Sequence, residues 1–88
     1  MDRQTLRAKL IDIFEQETWQ RPESLDDDVA IREGLNLDSV DVLSIALRVE
    51  SEIGVSLDSG DFAKIQTVGG LLDTIQAKLA AKDRARAA

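Results

Sequence analysis

Asp38-Ser39-Val40-Asp41-Val42-Leu43-Ser44-Ile45-Ala46-Leu47-Arg48-Val49-Glu50-Ser51-Glu52-Ile53-Gly54 carries its apolar residues at helical spacing. Val42, Ile45, Ala46, Val49 and Ile53 recur every three or four residues, the pattern of a helix face turned to a core. Asp41, Ser44, Arg48 and Glu52 share the polar face. Gly54 supplies a stop, since a helix C-terminus often needs a residue in the left-handed conformation. At the other end Asp38 or Ser39 can cap the helix, and Asp41 completes an approximate capping box. Val40, Leu43 and Leu47 form a second apolar row. The apolar arc is then wider than one packing face requires, so this row is either more core or an exposed surface.

Upstream, Leu6, Leu10, Ile13 and Phe14 repeat at i, i+4, i+7 and i+8, one face of a first helix. Arg21-Pro22 is expected to end it, because the residue before proline is pushed out of the α region. Residues 20–38 keep no period and contain Pro22, Asp26-Asp27-Asp28 and Gly34. Leu25, Val29, Ile31, Leu35 and Leu37 are scattered through them, so this long loop is expected to pack on the core, with room for a helical turn around 27–33. Downstream, Ser59 to Ile65 suits a turn or two of helix. Thr67 is placed to cap a last helix whose buried stripe is Val68, Leu71, Leu72, Ile75 and Leu79. Gly69 and Gly70 weaken its first turn by roughly 1 kcal/mol each relative to alanine, unless close packing requires them. The expected fold is all-α: a small bundle of three main helices plus one short helix, with a long first loop. Residues 1–82 form the single domain, and 83–88 a frayed tail.

Eighty-eight residues make one domain with a thin core. The chain has no histidine, which removes the commonest general base and metal ligand. It has no cysteine, hence no disulfide and no thiolate metal site. No apolar run approaches a membrane span, and Met1-Asp2-Arg3-Gln4 shows no apolar leader, so a cytoplasmic location is expected. Net charge is −6, and residues 20–66 alone hold eleven acidic and four basic side chains, a net of −7. That segment repels nucleic acid and anionic membrane and attracts a basic partner. Asp26-Asp27-Asp28 and Asp58-x-x-Asp61 lack the ligand spacing of an EF-hand, so no metal site is expected.

Leu35-Asn36-Leu37-Asp38-Ser39-Val40-Asp41, read with Glu50-Ser51-Glu52-Ile53-Gly54-Val55 and Asp61-Phe62-Ala63-Lys64-Ile65-Gln66-Thr67-Val68-Gly69-Gly70-Leu71, resembles the acyl carrier protein family. The likeness runs from about residue 4 to residue 80. That family's hallmark is Gly-x-Asp-Ser-Leu at the start of its second helix. Here Asp-Ser is kept, Asn36 stands at the glycine position and Val40 at the leucine. The resemblance implies a non-catalytic carrier that holds acyl groups as thioesters on a 4'-phosphopantetheine arm attached to Ser39. A phosphopantetheinyl transferase would install the arm from coenzyme A. It also implies docking through Asp38, Val40, Asp41, Ser44, Leu47 and Arg48 to acyl ligases, synthases or acyltransferases with basic patches, by a monomer, with Leu43 pointing inward. Ser44 and Arg48 replace acidic positions of bacterial fatty-acid carriers, as do Gly60 and Ala63 further on. That departure implies a specialised carrier for fatty-acid, lipid or polyketide-type biosynthesis. The competing reading is a small acidic helical scaffold with no prosthetic group.

Overall fold

Asp2 starts the first helix by accepting a hydrogen bond from the Thr5 N–H at 2.7 Å. The computed structural model describes residues 2–22, 25–31 and 38–87. Its helices are α1 (Arg3–Thr18), α2 (Ser39–Ile53), α3 (Ser59–Lys64) and α4 (Val68–Ala87). No strand occurs among the described residues, only an isolated antiparallel bridge between Ala30 and Thr67. The fold is therefore all-α, as the periodicities require. The expected stripes of α1 and α2 and the first four residues of the α4 stripe are buried together, Leu79 lying partly buried against them, and Leu25, Ile31, Val55, Leu57 and Ile65 from the connections close the core. Leu35 and Leu37 lie outside the described residues.

Two helix ends differ from expectation. α1 stops at Thr18, before Arg21-Pro22. Trp19 turns into the left-handed region (φ 63°) while its N–H still reaches the Glu15 carbonyl at 2.9 Å. A non-glycine residue there costs roughly 1–2 kcal/mol. At the other end of the chain α4 runs to Ala87, past the expected boundary at residue 82. Lys82 Nζ donates to the Gly54 carbonyl at 3.0 Å, placing a cation at the C-terminal end of α2, where the helix dipole favours it.

The first loop is built onto the start of α4. The Gly69 N–H donates to the Asp27 carbonyl and the Val68 N–H to the Val29 carbonyl, both at 2.9 Å, and the Ile31 N–H donates to Gln66 at 3.0 Å. Gly70 N–H finds the Thr67 hydroxyl at 3.1 Å, so Thr67 caps as expected. The orphan donors of a helix N-terminus are thus satisfied largely by a distant segment. Asp27 also holds the loop to α1: its two carboxylate oxygens accept from Arg7 at 2.6 Å and Arg3 at 2.9 Å. Arg3 continues to Asp73 and Gln76 of α4, each at 2.8 Å, and Arg7 donates to the Leu25 carbonyl as well.

The hydrogen bond from Arg7, and next that from Arg3, hold the Asp27 carboxyl below its ordinary value. A depressed folded-state value contributes stability that is present above the unfolded carboxylate pKa and is lost as pH falls through the folded one. Asp27→Asn should therefore lower the melting temperature at neutral pH. The gap to wild type should shrink progressively as the pH is taken below the usual carboxylate range, as thermal scans across pH would read. The two glycines should separate as well. A Cβ at Gly69 would meet the Asp27 Cβ and carbonyl oxygen at 3.0 Å, whereas one at Gly70 meets only ordinary contacts at 3.6 and 4.0 Å. Gly70→Ala should gain about 0.5–1 kcal/mol in urea unfolding from the helix preference alone. Gly69→Ala should lose about 1–3 kcal/mol despite that same preference.

Candidate functional site

Asp38, not Ser39, is the cap of α2. Its Oδ1 accepts from the Asp41 N–H at 2.9 Å, and Asp41 Oδ2 accepts from the Asp38 N–H at 3.4 Å, a reciprocal capping box. Ser39 is therefore the first helical residue, exposed, on an element whose other face is anchored in the core. Both flanking carboxylates are engaged with backbone donors. With no histidine in the chain, the Ser39 hydroxyl has no customary base to activate it.

Ser39 also stands at the mouth of a cleft of about 210 Å³ between α2 and α3. Val42, Leu43, Ala46, Leu57 and Phe62 make its walls apolar, and Asp58 joins Ser39 at the rim. Its lining is separate from the centre of the bundle, where Leu10, Phe14, Val49, Ile65, Leu72 and Ile75 lie. Those six are close-packed core. Asp58 and Asp61 form a second capping box, at 2.8 and 3.0 Å, on α3. Asp61 is held below its ordinary pKa, first by the Asp58 N–H and then by the Lys78 ammonium at 3.2 Å. These carboxylates are committed to structure, which accounts for the Asp58-x-x-Asp61 spacing without a ligand.

The second apolar row of α2 is a surface. Val40 is 71% exposed, Leu43 62% and Leu47 60%. The inward orientation expected for Leu43 is incorrect. Leu43 lies one position past the buried Val42, about 100° around the helix, and it borders the cleft instead. Ser44 is half-buried in a shallow groove with Glu17, Leu47, Arg48 and Ser51. Arg48 is not a free cation: its Nε donates to Glu17 of α1 at 3.0 Å, and Glu52 lies 3.9 Å away. The structure thus gathers Asp38, Ser39, Val40 and Asp41 on the first turn of α2, with Ser44, Leu47 and Arg48 further along it. The sequence reading missed Glu17 as partner to Arg48, and missed Leu57 and Phe62 as walls of the cleft.

A serine on the first turn of a helix, exposed and beside an apolar cleft, fits a prosthetic arm joined through a phosphodiester. A helix N-terminus favours a phosphate, and the cleft beside Ser39 has apolar walls. The family model described as the phosphopantetheine attachment site matches residues 8–75. The acyl carrier protein of Thermotoga maritima is 29% identical over 77 residues, covering 88% of this chain and 95% of that protein. The meromycolate extension acyl carrier protein of Mycolicibacterium aurum is 30% identical over 73 residues, covering 83% of this chain and 75% of that protein. A crystal structure of the Thermotoga maritima acyl carrier protein superposes with a TM-score of 0.81 at 28% identity, covering 92% of this chain and 94% of that one.

The capping box predicts a separation of stability from charge. Asp38→Ala should lower unfolding free energy by about 0.5–2 kcal/mol, and Asp38→Ser, which can still accept from Asp41, should recover most of that loss. Urea unfolding of the two variants checks it.

Proposed function

This chain belongs to the acyl carrier protein family, whose prosthetic group is 4'-phosphopantetheine, and we propose that Ser39 is the residue that bears the arm. The observation that carries this reading is the Ser39 hydroxyl itself, exposed on the first turn of α2 at the mouth of the apolar cleft. Once attached, the arm supplies the thiol on which acyl groups are held as thioesters, a group this cysteine-free chain lacks. The chain's own part is positioning. The capping box fixes the first turn, the core face of α2 holds that turn rigid, and the cleft offers an apolar tail partial shelter from water. The protein catalyses nothing in this reading. It is a substrate of a phosphopantetheinyl transferase and then of the ligase, synthase or acyltransferase that loads or unloads it, and a cytoplasmic location goes with these roles.

Asp38 and Asp41 would serve the modification step, offering negative charge beside the serine to a basic enzyme, while Val40 and Leu47 offer apolar contact. Further along α2 the character changes. Ser44 is neutral, and Arg48 is balanced by Glu17 and Glu52. A uniformly basic partner gains less there than from a fully acidic helix, which favours a dedicated partner over generic fatty-acid enzymes. A specialised fatty-acid, lipid or polyketide-type pathway fits this departure, and the meromycolate-extension carrier among the relatives is an example of such specialisation.

Incubation with a broad-specificity phosphopantetheinyl transferase, Mg²⁺ and coenzyme A should add one phosphopantetheine to the wild type and none to Ser39→Ala, read by intact mass. A wild type left unmodified by several such transferases would favour the acidic scaffold reading instead.

A further inference from the structure

We infer that Trp19 is a second docking anchor, seating its indole in an apolar pocket rimmed by lysine or arginine on an acyl-handling enzyme that also contacts the exposed row of α2. The inference rests on the carrier reading and goes beyond it by adding a contact outside α2. Trp19 is 91% exposed, the most exposed large apolar side chain among the described residues. It also holds a left-handed backbone (φ 63°) at a helix end where glycine is the favoured residue. The conformation ends α1, but glycine would adopt it without the cost, and the exposed ring adds nothing to the core. A strained residue with its ring in water marks a use outside the monomer, and tryptophan is among the residues most enriched at the energetic centre of interfaces.

The surroundings define the partner. One shallow groove runs from Trp19 to Arg48, and a second runs from Arg48 to Leu47. Arg48 lines both grooves, so the indole and Leu47 of the α2 row lie on either side of it. The cations beside the ring are already engaged. Arg21 lies 3.0 Å from both Asp12 and Glu15, and Arg48 sits between Glu17 and Glu52. Each arginine carries two carboxylates, so each set is net −1. An apolar ring between two negative sets complements an apolar pocket with a cationic rim. A second copy of this chain would bring the same negative charge, and an anionic membrane would be repelled likewise.

The test compares wild type with Trp19→Gly and Trp19→Phe, each first confirmed by mass to carry the arm and then acylated. Glycine suits the left-handed position, so Trp19→Gly removes the ring while relieving the backbone, and its melting temperature should equal or exceed that of wild type. The probes are a purified ketosynthase and a purified acyltransferase that act on free-standing carriers. With the one that turns over wild type at lower KM, Trp19→Gly should raise KM tenfold or more with kcat within twofold, and Trp19→Phe should fall between. A KM within twofold of wild type overturns the proposal. So does a blue shift of the Trp19 fluorescence on phosphatidylcholine vesicles, which would make the ring a membrane contact. A wild type that never takes up the arm is a different result: it overturns the Ser39 assignment before any comparison at Trp19 is made.

Discussion

The carbonyl and carboxylate of Asp27 join three parts of the chain that are far apart in sequence. The carbonyl takes the Gly69 N–H at the start of α4, and the carboxylate takes Arg3 and Arg7 of α1. Gly69 permits this because any Cβ there would press on Asp27 itself. A thin core in a chain of this length leaves little stability in reserve, and a long loop left loose would add entropy cost without burial. Docking the loop lets Leu25 and Ile31 enter the core. It also covers the end of α4 whose backbone donors would otherwise be unsatisfied. The same junction ties α1 to α4 through Arg3, and α2 packs its buried face against α1 in the shared core.

With its inner face held, α2 can leave its outer face uncommitted. An exposed row of Val40, Leu43 and Leu47 is unfavourable for an isolated monomer and useful for one that meets several enzymes in turn. The first turn brings together an exposed serine, a backbone fixed by the capping box and two carboxylates. In the proposed role the protein presents its site rather than reacting at it.

Much of this was legible in the sequence because it is local. The caps at Asp38, Thr67 and Gly54 depend on residues within one turn, and the buried stripes follow from spacing alone. The family resemblance and the position of Ser39 were legible on the same grounds. What the sequence did not show is long-range. Arg48 reads as a lone cation because Glu17 is 31 residues away. Periodicity leaves Leu43 open between core and surface, and the resemblance turns it inward, because an angle around a helix does not tell what lies opposite. The end of α1 at Trp19 was assigned to Pro22, since proline is a strong local signal and a left-handed tryptophan is not one that propensity anticipates. Nothing local reveals that Leu57 and Phe62 come to line one cleft with Val42 and Leu43.

The account stands on one covalent bond, between Ser39 and a phosphopantetheine arm. The most direct measurement takes the protein as its own cells make it, digests it, and fragments the peptide that contains Asp38-Ser39-Val40. The account predicts that this peptide carries a phosphopantetheine mass localised to Ser39, with the other serines unmodified. The same peptide found wholly unmodified, or the arm found on Ser44 or Ser51, would contradict it.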